Sequence, residues 1–216
     1  MAIQVNTRVT DRDLRGRSHW WGAPDLPEGM PYPCIDVEDE DGCTYSEPLT
    51  FVCQIRCSDI AELDPEGLLP HRGMLCFFAP IEYFLGDDGS PLDYHDSPAV
   101  LYTEQEDGLL PYELCWEGTD ESIFRPAEEM LFTKAESPRG DGHILLGEPY
   151  QDEVRQAHPG CLALLQIDED DRWGLRFYDC GRTILSSDLR PLPMCGFLRR
   201  TYLPVAEQKP DFRRTL

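Results

Sequence analysis

Positive charge is scarce in this chain of 216 residues: 19 Lys and Arg stand against 41 Asp and Glu, a formal net charge of -22. That balance sets DNA, RNA and anionic membranes aside as partners, because binding them rests on Lys and Arg displacing counterions. Long apolar runs are missing too. No run reaches transmembrane length and the amino terminus carries no signal-peptide pattern, so the expectation is a cytoplasmic protein with reduced thiols. Catalytic signatures are equally thin. There is no G-x-S-x-G elbow, no phosphate loop and no Gly-rich dinucleotide fingerprint after a strand, so no catalytic residue is assigned. Metal signatures fail in the same way. No C-x-x-C pair occurs, Cys53 and Cys57 form only C-x-x-x-C, and His19, His71, His95, His143 and His158 are scattered. No metal ligand and no cofactor is assigned. The acidic loop 36–42 does not fit a calcium loop, since Gly42 as the sixth position would make Val37 the first ligand.

What is present is ordinary in amount and unusual in order. Apolar content of 41% and charged content of 28% are those of a globular protein, long enough to bury a core without staples. The 19 prolines and 17 glycines call for many turns and short elements. Nine cysteines, an odd number, lie partly inside apolar runs, where Cys acts as a small hydrophobe.

A short pattern occurs twice. The first copy starts at Trp21-Gly22-Ala23-Pro24, continues in the apolar run Leu49-Thr50-Phe51-Val52-Cys53-Gln54-Ile55 and ends in Gly73-Met74-Leu75-Cys76-Phe77-Phe78. The second starts at Leu146-Gly147-Glu148-Pro149, continues in Cys161-Leu162-Ala163-Leu164-Leu165-Gln166-Ile167 and ends in Gly174-Leu175-Arg176-Phe177-Tyr178. The apolar, β-branched runs read as buried strands. Further strands are expected at 99–103, 109–116 and 196–202, and a last paired strand at 173–178. The Arg-rich start, 1–18, reads as an edge strand or a loosely held arm. Short helices are expected at 59–63, with Ser58 as cap, and at 149–157, with Pro149 in its first turn. Residues 127–132 fit a helical turn or a strand. The expected class is therefore α+β: an antiparallel-sheet-rich single domain over 1–216, with a few short helices and two related halves at about 19–135 and 141–204.

Two kinds of candidate site follow. Gln54 and Gln166 occupy equivalent places, where each amide can pin a loop or both can face a cleft between the halves together with Trp20 and Trp21. The second candidate is an acidic surface made of Asp87, Asp88, Glu104, Glu106, Asp107, Glu117, Asp120 and Glu121, which would attract a basic protein partner. The sequence leaves the oligomeric state open.

The order of these motifs resembles the YwqG-like bacterial family of unknown function. The residues that carry the resemblance are Gly22-x-Pro24 with Leu26-Pro27, Pro48-Leu49-x-Phe51-x-x-Gln54-Ile55 and Gly73-x-Leu75-x-Phe77-Phe78. Leu146-Gly147-x-Pro149, Leu164-Leu165-Gln166-Ile167-Asp168 and Trp173-Gly174-x-x-Phe177 match its carboxyl half. The chain departs from the family where Trp21-Gly22 replaces the usual Gly-Gly, and in its acidic segment 86–140. The resemblance implies a cytoplasmic α+β domain rich in antiparallel sheet, and it supplies no catalytic residue. It also implies a context of bacterial toxin–immunity neighbourhoods. With the charge, that points to a non-catalytic protein-binding module, an immunity-type inhibitor of a basic toxin. The alternative is a small-ligand-binding or enzymatic domain with a cleft between the halves.

Overall fold

A computed structural model describes residues 2–38, 41–79, 98–150, 152–157, 159–173 and 183–185. The strands are β1 (Ile3–Arg8), β2 (His19–Trp20), β3 (Asp25–Leu26), β4 (Cys34–Glu38), β5 (Thr44–Pro48), β6 (Thr50–Arg56) and β7 (Met74–Ala79). They continue as β8 (Ala99–Thr103), β9 (Leu110–Pro111), β10 (Glu128–Lys134), β11 (His143–Gly147), β12 (Ala163–Ile167) and β13 (Thr183–Leu185). Nine of them form one antiparallel sheet in the order β13-β12-β11-β1-β10-β2-β6-β7-β8, curled into a half-barrel. The β3–β9 and β4–β5 pairs stand outside it.

The class is mainly β, which corrects the expected α+β. Among the described residues, α-helix is confined to α1 (Asp152–Ala157), joined by three-residue 3-10 turns at Cys57–Asp59, Ala61–Leu63 and Asp171–Trp173. One or two turns of backbone cannot repay the entropy of nucleating a helix, and Pro65 and Pro70 end the first attempt. The expected Ser58 cap does not form, since Arg56 holds the cap position without a side-chain bond. Of residues 127–132, all but Ala127 resolve as strand, as the greater part of β10. Trp173 belongs to a 3-10 turn and not to a strand, and β12 takes β13 as its partner. Of 109–116, only Leu110–Pro111 is strand. The expected strand residues 174–178 and the strand 196–202 lie outside the described residues.

The largest departure is β1. It is neither an edge nor a loose arm, but sits near the middle of the sheet between β10 and β11. Its register shows why. Ile3 and Val5 are buried while Gln4, Asn6 and Arg8 are not, the period-two pattern of a half-buried strand. At its exposed end, Arg8 and Arg12 pair with Glu129 across the β1–β10 boundary.

The registers make the repeat explicit. His19 pairs with Gln54, and Ile144 pairs with Gln166. Trp20 then pairs with Glu128 as Leu145 pairs with Ile3. Trp21 and Leu146, each preceding the repeated Gly, both adopt left-handed backbone at φ 56° and 57°. One correspondence thus exchanges β1 with β10, β2 with β11 and β6 with β12, about an approximate two-fold through the β1–β10 pair. Each leading strand is seated beside the other copy, β1 on β11 and β10 on β2, so the two copies interlock.

Two clusters of buried side chains lie on opposite faces of β6 and β7. Val52, Ile55, Leu75, Phe77 and Ala79 join Ile3, Val5, Trp20, Leu145 and Leu165 on one face. Phe51, Met74, Cys76 and Phe78 join Leu26, Tyr32 and Leu49 on the other. Burial on both faces explains why 74–79 reads as an unbroken apolar run without alternation. The second face is covered by the β4–β5 hairpin and by Leu109, Tyr112, Leu114 and Phe124.

Candidate functional site

The repeated glutamines are structural pins of unequal complexity. Gln54 is fully buried; its Oε1 accepts from the Asp25 backbone N–H (2.8 Å), and its Nε2 donates to the Arg17 carbonyl (2.9 Å) and to Asp25 Oδ2 (2.5 Å). The Gly16 N–H also donates to Asp25 Oδ2, at 2.7 Å. His19 completes the group: its Nδ1 donates to the Trp21 carbonyl at 2.6 Å, with Nε2 3.9 Å from Asp25 Oδ2. Burial lowers the His19 pKa, against the Trp21 carbonyl and the Asp25 carboxylate, which raise it. At the equivalent place, Gln166 Nε2 donates only to the carbonyls of Gly140 (3.1 Å) and Gly142 (2.9 Å). Four strands separate β6 from β12 in the sheet, and each glutamine pins the loop of its own copy. The structure does not bring Gln54 and Gln166 together.

It does bring the tryptophans together. Trp20, fully buried, stacks on Trp173 (ring centroids 5.3 Å apart) and lies against His143 (4.6 Å). Trp21 meets Trp20 and Trp173 edge to face at 6.3 and 5.4 Å. The stack is fastened from outside: Trp173 Nε1 donates to Glu128 at 2.8 Å, and the Asp168 N–H donates to His143 Nδ1 at 3.1 Å. Burial pushes His143 down to about 4, overcoming the upward pull of Asp170 and Asp168. An unfolded histidine titrates near 6.5, so between pH 6.5 and 4 the unfolded chain holds a proton that the folded chain lacks. Stability therefore falls as pH falls through that window, by about 3 kcal/mol from this group alone. In urea titrations across the window, His143→Gln is expected to have a flatter pH dependence than the natural chain. An unchanged slope would show that His143 is not held neutral.

A cavity of about 100 Å³ opens where β5 and the start of β6 face the segment 114–125. Its walls include Trp21, Tyr32, Phe51, Leu114, Ile123 and Phe124, and its charged lining is Glu47, Glu117 and Arg125. Tyr32 is committed elsewhere, its hydroxyl donating to the Leu49 carbonyl at 2.8 Å. Burial raises the Tyr32 pKa. Arg125 lies over the Trp21 ring, 4.9 Å from the centroid, and donates to the Trp173 carbonyl at 2.8 Å. Trp20, Gln54 and Gln166 do not line this cavity; Trp21 does. Nothing in the sequence pointed to Arg125, because its place depends on the fold of 114–125 over β5. That segment closes on itself through Trp116 N–H to Glu121 O and Ile123 N–H to Leu114 O.

The acidic candidates are dispersed. Glu106 accepts from the Gly73 N–H at 2.8 Å and from Arg56 at 3.0 Å, which holds its carboxyl below the usual range and fastens the loop before β7. Glu104 and Asp107 flank it, exposed, at the Arg56 end of β6. Glu117, Asp120 and Glu121 are exposed on the 116–121 turn, beside the cavity at the Thr50 end. Asp87 and Asp88 lie outside the described residues. Among the described residues no cluster of three or more His, Cys, Asp or Glu could hold a metal ion. Cys53, Cys57 and Cys76 are buried thiols, and burial drives Cys57 up to about 12, where a thiol is inert. No described helix is long and apolar enough to cross a membrane.

Comparison with known families matches residues 18–137 to the domain of unknown function DUF1963. The chain belongs to this family. The DUF1963 segment contains the whole Asp25–Gln54–His19 group, the cavity lining and β10, while β1 and β11 to β13 lie outside it. No curated protein and no solved structure matches the chain.

Proposed function

We propose that the chain is a non-catalytic protein-binding module whose acidic surface receives a basic partner, as an immunity-type inhibitor covers a basic toxin in the cytoplasm. The YwqG-like resemblance within the wider DUF1963 family belongs to the same proposal. The observation that carries it is the exposed turn bearing Glu117, Asp120 and Glu121, held away from the core on a chain of net charge -22. Such a field steers a cationic protein toward the turn and raises its association rate. It repels nucleic acid and anionic membranes.

The test uses the basic partner recovered from the native host and the variant Glu117→Lys/Asp120→Lys/Glu121→Lys. The association rate is expected to drop about ten-fold or more at low salt, with a smaller change in dissociation, because rim charges act on encounter. A rate unaffected both by the reversal and by added salt would overturn the proposal.

A further inference from the structure

The two copies end their Gln-Ile strands with the same bond made by different chemistry. The registers that align His19 with Ile144 and Gln54 with Gln166 also align Ser18 with His143 and Arg56 with Asp168. In the first copy the Arg56 N–H donates to Ser18 Oγ at 2.8 Å; in the second the Asp168 N–H donates to His143 Nδ1 at 3.1 Å. A hydroxyl oxygen accepts at any pH. An imidazole nitrogen accepts only while the ring is neutral, and in the charged ring both nitrogens donate. A proton on His143 Nδ1 therefore sets two donors against each other, and the bond to Asp168 must open. The residue is 7% exposed and lies against both Trp20 and Trp173.

The loop that starts at Asp168 fastens the second copy across the sheet. Arg172 Nη2 donates to Thr7 Oγ1 of β1 at 3.1 Å, and its Nη1 stands 3.6 Å from Glu128 of β10. Trp173 Nε1 donates to the same carboxylate, its ring stacks on Trp20, and its carbonyl accepts from Arg125. The charges facing His143 are Asp168, Asp170 and Arg172, all on this loop. Glu128 stands beyond Trp173, while β1 sets Val5 opposite His143 and β2 lays Trp20 against it. Asp170 Oδ2 is 4.0 Å from His143 Nε2 and already accepts from Arg172. A charged His143 thus competes with Arg172 for that oxygen as the Asp168 bond opens.

We infer that residues 168–173 form an acid-released clasp: charging His143 breaks its bond to the Asp168 N–H and frees the loop from β1 and β10, while the Ser18–Arg56 bond of the first copy stays closed. Burial holds the His143 pKa down at about 4, from an ordinary 6.5. A group with a lowered folded pKa of this kind takes up its proton when the loop opens, so the clasp is shut above pH 6.5 and opens as pH falls through 4. Opening uncovers Trp20 and takes from Arg125 its bond to the Trp173 carbonyl, so the change reaches the segment 114–125 that lines the cavity.

The test is a pH titration of the full chain followed in nitrogen-15 spectra, from pH 6.5 down to about 3. Four signals are read: the Asp168 amide, the Trp173 indole N–H, the His143 ring nitrogens and, as internal reference, the Arg56 amide. The chain has four tryptophans, so the Trp173 indole is assigned as the one lost in Trp173→Phe. At the start of the titration His143 Nδ1 is expected to be bare and Nε2 to carry the proton. As the ring charges, the Asp168 and Trp173 signals should move together with a midpoint near 4, and their protection from hydrogen exchange should fall about ten-fold or more. The Arg56 amide should keep its protection, because Ser18 does not titrate. Surface carboxylates protonate in the same window, and His143→Gln separates their effect: its side-chain oxygen accepts at any pH, so the Asp168 and Trp173 signals are expected to hold still. Three results overturn the clasp: a proton on Nδ1 at pH 6.5, equal movement of both signals in His143→Gln, or loss of Asp168 protection only together with Arg56. Should His143→Gln fail to fold, the natural chain still decides, since a ring that charges without moving the Trp173 signal refutes the coupling.

Discussion

Gln54→Leu is expected to lower the unfolding free energy by about 4 kcal/mol, and Gln166→Leu by about half as much. The two residues hold the same place in the repeat and differ in what they leave behind. Without Gln54, the Asp25 carboxylate loses its closest donor, the Asp25 N–H loses its acceptor and the Arg17 carbonyl is stranded. Asp25 is 1% exposed, so its charge cannot turn to water and keeps only the Gly16 N–H as a close donor. A buried charge that loses a partner costs more than a buried dipole. Without Gln166, two loop carbonyls are left, neither charged, in a part-buried setting. Urea unfolding measures the difference, provided the dependence on denaturant stays the same between variants. Equal losses at the two positions would refute the central role given to Asp25.

Gly73→Ala is expected to cost about 4 kcal/mol or more, and Gly67→Ala about 1. Both glycines have left-handed backbone, φ 86° at Gly73 and φ 65° at Gly67. The added methyl at Gly67 meets nothing within 4 Å, so strain is its only cost. At Gly73 a Cβ would stand 2.2 Å from the Thr103 carbonyl oxygen, with Tyr102 and the Glu104 backbone at 3.0 Å. Retreat is blocked, because the Gly73 N–H is bound to Glu106 and its carbonyl to the Cys57 N–H. To admit the methyl, β7 and β8 must part at Met74 and Thr103, where their register begins. Thermal unfolding should rank the two variants clearly, and a Gly73→Ala protein as stable as Gly67→Ala would show that the β7–β8 junction yields easily.

Much of this architecture was legible in the residues. The apolar runs that begin at 49, 73, 99 and 161 hold the strands Thr50–Arg56, Met74–Ala79, Ala99–Thr103 and Ala163–Ile167, because β-branched and aromatic side chains bounded by Gly and Pro suit no other buried element. The repeated Gln-Ile ending marked two equivalent registers, since a polar residue closing an apolar run needs a fixed set of loop partners. The Pro and Gly spacing ruled out long helices, although it did not show that 59–63 would stop at 3-10 turns. Other features could not be read locally. Ile3-Gln4-Val5 is a modest β pattern that could lie at any edge. Only pairing with Lys134 to Glu129 on one side and Leu145 to His143 on the other makes it central. His19 and Asp25, on the two-residue strands β2 and β3, and Arg125, in the segment 114–125, have a chemistry that is silent until β2 and β6 pair and 114–125 folds over β5. The alternation of side chains along a strand is a local property, and the sequence by itself determined it: which stretches are extended and which of their residues are buried. Strand order, the interlocking of the two copies and the meeting of Trp21 and Arg125 at one cavity depend on contacts between residues far apart in the chain. Those the tertiary structure alone decided.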